Sequence, residues 1–209
     1  MIIMKKQVLS LVIVLALALT GCIGGDRYFG SQRGNSRGIQ NILNQQETFV
    51  FNKLPKTVGE FKAMPEAAMT TPFMTAALTV AALCAYGDSP AASIAMLNVL
   101  QGPQPLSARN IQFLRDRLNG KTYKPFSYFE GATPQNGYAP NTPYQITVSE
   151  QTHSYPEQGR ATLFIQSGGA DSARPVTLRL KPSTGQWFLV EHSSLLLDMR
   201  TPDSMNPWR

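Results

Sequence analysis

Two histidines (His153 and His192), two cysteines (Cys22 and Cys84) and 13 acidic residues are the groups in this 209-residue chain best suited to chemistry. Zinc takes three or four Cys, His or carboxylate ligands held close together, and neither histidine stands in such a cluster. A catalytic imidazole needs a nucleophile beside it and an acid to orient it. A triad assembled from a serine, His153 or His192, and Asp171 or Asp198 has no G-x-S-x-G elbow to hold it. Gly168-Gly169 lacks the Lys-Ser/Thr of a phosphate-binding loop and reads as a turn, where glycine supplies positive φ. Glu130 and Asp171 could act as the acid pair of a glycosidase only at a fixed separation, which sequence does not set. The expectation is no metal, no cofactor and no catalytic residue, with an enzyme the less favoured class.

The element that positions Cys22 is a leader. Lys5 and Lys6 give a cationic start, and residues 8–19 are apolar except for Ser10. This is the plan of a secretory signal, and it is short for a spanning helix. The run ends in Leu19-Thr20-Gly21-Cys22, which resembles the lipobox of bacterial lipoproteins. The resemblance implies transfer of diacylglycerol to the Cys22 thiol and cleavage before Cys22. The chain is then lipid-anchored to the bacterial cell membrane on its extracytoplasmic side. An uncleaved anchor also places the rest of the chain outside the cytoplasm. Each buried methylene contributes ~0.8 kcal/mol, and stable attachment needs two acyl chains, which a diacylated cysteine supplies. Residues 23 to about 46 are rich in Gly, Ser, Asn, Gln and Arg and read as a flexible tether. At ~5–6 Å × √n its mean reach is about 25–30 Å. The chain thus divides into a leader (1–21), lipidated Cys22 with its tether (22–53) and one domain (54–209). With Cys22 committed to lipid, Cys84 has no disulfide partner and falls in an apolar run, where a buried, inert thiol is expected.

The net charge of +6 includes Lys5 and Lys6, and Arg27, Arg33 and Arg37 lie in the tether. No basic stripe is evident for a folded face, so nucleic acid is not an expected partner, and attraction to anionic lipid is the simpler use of the tether arginines. Hydrophobic residues at 43% suffice for one core. Thr57-Val58-Gly59-Glu60 has capping-box spacing, Thr71-Pro72 and Ser89-Pro90 each pair an N-cap with proline, and Leu106-Ser107 offers a staple and a cap. These signals predict a short helix stopping near Pro65 and a buried helix over residues 73–86, apolar almost all round. Two more helices end at Gly102 and Gly120. Strands are predicted over 144–150, 160–166, 175–181 and 186–191; the third alternates Val176, Leu178 and Leu180 with Thr177, Arg179 and Lys181. Helices first and strands second argue an α+β fold, three to four N-terminal helices packed on a C-terminal four-stranded antiparallel meander.

Between helices and strands, residues 121–143 carry Tyr123, Phe126, Tyr128, Phe129 and Tyr138 among Pro, Gly and Asn, without a regular period. Tyr123, Tyr128 and Tyr138 form the candidate binding surface, since tyrosine joins a flat ring to a polar tip suited to peptide or glycan. The competing reading, preferred here, closes the core with these rings, Phe129 inside and Tyr128 with its hydroxyl near the surface.

Several stretches carry a family resemblance. They are Gln112-Phe113-Leu114-Arg115-Asp116-Arg117, Ser127-Tyr128-Phe129-Glu130-Gly131-Ala132-Thr133-Pro134, Ser167-Gly168-Gly169-Ala170-Asp171-Ser172, Arg174-Pro175-Val176-Thr177-Leu178-Arg179, Gln186-Trp187-Phe188-Leu189 and Pro207-Trp208. In this order they resemble an uncharacterised bacterial domain family of unknown function, over about residues 54–209. The resemblance implies no activity. The functional expectation is a non-catalytic module, tethered to the membrane through Cys22, that binds a protein, peptide or envelope glycan. An envelope hydrolase and a scaffold subunit of a membrane assembly are the competing classes.

Overall fold

A computed structural model describes residues 45–208, so the leader, Cys22 and most of the tether lie outside the described residues. The first element is a strand, β1 (Gln46–Phe51), followed by helices α1 (Val58–Lys62), α2 (Pro72–Cys84), α3 (Pro90–Gln101) and α4 (Ala108–Leu118). Strands β2 (Tyr144–Ser149), β3 (Arg160–Ile165), β4 (Arg174–Lys181) and β5 (Gln186–Glu191) come next. All five strands form one antiparallel sheet in the order β1-β2-β3-β4-β5.

The α+β class stands, with corrections. The sheet has five strands instead of four, the helices lie between β1 and β2, and the fold begins inside the 22–53 segment read as tether. The sequence of β1 alternates over only a few residues, too short a run to separate from the polar stretch before it. What fixes it is distant: it pairs with β2 from Gln46↔Ser149 to Phe51↔Tyr144 and buries Phe49 and Phe51.

The helix starts follow their caps. Thr57 Oγ1 accepts from the Glu60 amide at 3.2 Å, and the Glu60 carboxylate accepts from the Lys56 amide at 2.8 Å. Thr71, Ser89 and Ser107 each accept from the amide three residues on, opening α2, α3 and α4. Each such cap contributes ~1 kcal/mol. Helix α2 is buried at every residue except Met74, because it touches all five strands on one side and α3 on another. Its hydroxyls are satisfied within that apolar setting: Thr75 donates to the Trp187 carbonyl at 2.7 Å and Thr79 to the Thr75 carbonyl at 2.8 Å. Cys84 is a free, buried cysteine at its end, and burial pushes the thiol well up. Among the described residues no helix is long and apolar enough to cross a membrane.

Candidate functional site

The aromatic loop of residues 121–143 is largely interior. Phe129 is 2% exposed and meets Phe51 and Tyr144 edge-on, with ring centroids 6.4 and 5.5 Å away. Tyr128 is buried beside it, and its hydroxyl donates to the Leu195 carbonyl at 2.9 Å. The expected wet hydroxyl is therefore corrected: the 3-10 turn Ser193–Leu196 supplies its acceptor instead of water. Burial pushes this phenol well above its ordinary value. Tyr138, also buried, stacks on Tyr123 at 5.4 Å and donates to the Arg200 carbonyl at 2.8 Å. Its phenol is pushed up to about 12, mainly by burial. Tyr128 and Tyr138 thus leave the candidate binding surface, because the chain from 192 to 200 supplies carbonyl acceptors for both hydroxyls. Only Tyr123 stays half-exposed, with Tyr138 stacked on one ring face.

Polar groups under the loop are tied to main chain. Lys124 is buried and its Nζ donates to the Leu196 carbonyl at 2.7 Å; burial lowers this ammonium's pKa, helped by Lys121 and Arg117. Ser127 Oγ donates to the Lys124 carbonyl at 2.6 Å and lies 2.8 Å from Ser167 Oγ, which in turn accepts from the Gly169 amide at 3.0 Å. A Cβ at Gly168 would collide with the Ala132 carbonyl oxygen, and one at Gly169 with the Tyr138 hydroxyl. These glycines therefore let the β3–β4 connection pack under the aromatic loop; they open no helix.

The remaining titratable candidates stand apart. Asp171 is exposed and pairs with Arg200, Glu130 is exposed, and His153 is exposed in the β2–β3 connection. Asp198 is exposed at φ 47. His192 is buried with Nδ1 unpartnered, and burial lowers its pKa. Among the described residues no three His, Cys, Asp or Glu side chains gather to hold a metal.

One concave site of the fold lies at the C-terminal hairpin. A groove of ≈ 460 Å³ runs between β4–β5 and the segment joining α3 to α4. Pro103, Pro105, Leu180, Phe188 and Val190 give its apolar wall; Ser107, Asn110, Arg179 and Lys181 give polar groups. Gly102, at φ +63, ends α3 and lets the chain pass hard against the Phe188 ring, where a Cβ would collide.

Strand register sets the cations. Arg179 on β4 stands opposite Phe188 on β5 and opposite Arg160 on β3, and cross-strand partners share a face. Arg160 is paired with Glu157 at 2.6 Å, whereas no ion pair of the described residues includes Arg179 or Lys181. Among the described residues no carboxylate lines the groove. Glu191, next to Val190, turns its Oε1 back to the amides of His192 and Ser193 at 2.8 and 2.6 Å. A wider opening of ≈ 750 Å³ lies between residues 133–135 and 200–208, but its lining cation, Arg200, is already paired with Asp171. Sequence reasoning took Arg179 and Lys181 as an ordinary wet face and missed the groove. The signal was available: counting outward from the Ser183-Thr184-Gly185 turn sets Arg179 against Phe188.

No curated protein and no solved structure matches the chain. Residues 53–203 match a family described as a domain of unknown function, DUF6935. The match starts just after β1 and stops short of Pro207-Trp208. It spans well over half of the chain, and the protein belongs to this family of unknown function.

Proposed function

We propose that the protein is a non-catalytic binding module of the cell envelope, held at the membrane by lipid on Cys22, with its ligand taken up in the groove beside β5. The observation that carries this reading is the row Arg160, Arg179, Phe188 across three strands. Like charges directly opposite each other cost a sheet up to ~1 kcal/mol. Arg160 has Glu157 to offset that cost, and Arg179 has only the open groove. An anionic ligand arriving there would neutralise Arg179, while the wall of Pro103, Pro105 and Phe188 gives it apolar surface to cover. A hydrolase reading has the Lys124, Ser127, Ser167 cluster to draw on, and those groups are buried and bonded to main chain or to each other.

The test uses the full-length protein in detergent, with polyglutamate and polylysine as probes and the melting temperature as readout. A ligand at a hundred times its Kd stabilises by ~2.7 kcal/mol, which for a domain of this size is about 5–10 °C. Polyglutamate should raise the melting temperature, polylysine should not, and Arg179→Glu should erase the rise. A rise that persists undiminished in Arg179→Glu removes the groove as the site.

A further inference from the structure

We infer that two copies of the chain pair edge to edge through β1, antiparallel about a two-fold axis at Thr48. β1 is an outer strand of the sheet, and its ladder to β2 is regular from Gln46 to Phe51. Opposite residues of an antiparallel pair alternate between those that exchange main-chain bonds and those that do not. The Gln45 carbonyl accepts from the Glu150 amide at 2.8 Å, which fixes the alternation: Glu47, Phe49 and Phe51 bond to β2. Gln46, Thr48 and Val50 therefore turn their N–H and C=O groups away from it. The far side of β2 agrees, since Gln145, opposite Val50, gives its carbonyl to the Glu130 amide at 2.9 Å. All three outward residues are exposed, Val50 at 52%, and among the described residues no main-chain bond reaches them from beyond the edge.

The two outer strands differ in how they are guarded. β5 is covered at Trp187, whose amide donates to the Met69 carbonyl, and its ladder shifts register at Thr177–Leu178. β1 has no lysine, no proline and no bulge, the devices that keep an outer strand from pairing with a newcomer. Gln46, Thr48 and Val50 carry no charge, so a second copy meets no repulsion along this edge. Several registers face outward residues with outward residues, but only an axis at Thr48 engages all three. Gln46 then meets Val50 of the second copy, and Thr48 meets Thr48. An axis at Glu47 would set two carboxylates opposite each other. Thr48 Oγ1 already lies 2.8 Å from Thr147 Oγ1 on β2. The two-fold extends that contact into a row formed by Thr147 and Thr48 of each copy, and threonine pairs across strands are favourable. The interface is the same patch on both chains, so it closes as a dimer.

Sedimentation velocity of the full-length protein in detergent, over about a hundredfold range of concentration, should carry the protein mass from one chain to two. Val50→Pro removes only an N–H that the single chain leaves unbonded, a place where outer strands accept proline. Thr48→Lys sets two ammonium groups opposite each other across the axis. Each should weaken dimerisation at least about tenfold. Where the wild type is monomeric, Thr48→Lys should melt with it, because the position is exposed. Disulfide trapping in membranes of expressing cells reads the register. Thr48→Cys should crosslink under mild oxidation, since directly opposed Cα atoms stand ~5.5 Å apart; the wild type, with Cys84 buried, should not. Gln46→Cys or Val50→Cys alone should fail, each lying ~13–14 Å from its own copy, but the two coexpressed should crosslink. Equal trapping at all three positions, or a dimer that neither Val50→Pro nor Thr48→Lys weakens, overturns the edge pairing. So does a single-chain mass at every concentration with no trapping at Thr48→Cys. If dimers form only after residues 35–44 are deleted, the chain's own preceding segment takes the edge and the inference falls.

Discussion

Truncating Phe129 to alanine measures directly whether the aromatic loop is structural. The ring is 2% exposed and lies edge-on to Phe51 of β1 and to Tyr144 at the start of β2. Losing a buried Phe costs ~3–5 kcal/mol, and two edge-to-face pairs, each worth ~0.5–1.5 kcal/mol beyond area, place this site toward the upper end. A domain of this size loses ~2–4 °C per kcal/mol, so the melting temperature should fall by about 10–15 °C. Tyr128→Phe separates ring from hydroxyl at the next position. The ring stays, but the Leu195 carbonyl loses its donor while remaining enclosed, at ~1–3 kcal/mol. Thermal melts by circular dichroism and urea titrations on the same samples give both numbers. A loss within ~0.5 kcal/mol for Phe129→Ala is surface behaviour and would refute the core placement. An unchanged Tyr128→Phe would show that water, not Leu195, completes that hydroxyl.

Cys22→Ala should leave an unprocessed, unlabelled precursor when cells are fed a fatty acid; mature-sized, lipid-labelled mutant protein sinks the anchor. Cys84 should react slowly with a thiol reagent in the native protein and quickly in denaturant, since burial raises its pKa and α2 encloses it. Gly168→Ala should destabilise by several kcal/mol, because the added Cβ meets the Ala132 carbonyl, which is fixed main chain; a melting temperature within a degree or so of wild type would contradict the packing described. His192 is buried and its folded pKa lies below 6.5, by burial opposed by Glu191. The unfolded chain therefore takes up the proton first as pH falls, and stability should decline below about pH 6.5 and level off only below the folded value. Urea midpoints at about pH 7.5 and 5.5 should show that decline in the wild type and a shallower one in His192→Gln; equal slopes would refute it.

What was legible in the sequence was local. Thr57, Thr71, Ser89 and Ser107 cap helices within three residues of themselves, so a short motif sufficed. The strands from Tyr144 onward show in their composition and alternation, and their turns lie between neighbours in the chain. β1 was not legible, because its partner β2 lies beyond four helices and its own alternation is brief. Nor was the burial of Tyr128 and Tyr138, whose hydroxyl acceptors stand 67 and 62 residues further along the chain. The groove fell between these cases: its cations and Phe188 are near neighbours by hairpin register, but its Pro103 and Pro105 wall comes from a different part of the fold.

The loop also explains how the sheet holds together at its weakest seam. β2 and β3 pair only at Val148↔Ile165 and Ser149↔Phe164, whereas β3 and β4 pair over six residues. Beside that short seam the aromatic loop makes the bonds that a longer ladder would have made. The Glu130 amide donates to the Gln145 carbonyl at 2.9 Å, and the Gly168 amide donates to the Ser127 carbonyl at 2.8 Å. The loop thus joins the β1–β2 pair to the β3–β4–β5 pair of hairpins, and the Ser193–Leu196 turn holds the loop in place through Lys124 and Tyr128. The N-terminal segment enters the fold at β1, and the groove borders β5, the opposite outer strand. Four strand spacings of ~4.8 Å put those edges about 19 Å apart as measured along the sheet. The first strand and the groove therefore lie at different edges of one sheet, and the aromatic loop is the splice between them. Rings at such a splice belong inside, where two or three of them contribute more to cohesion than any exposed tyrosine could. That is a structural reason for the aromatics of residues 121–143 that calls for no ligand at that loop.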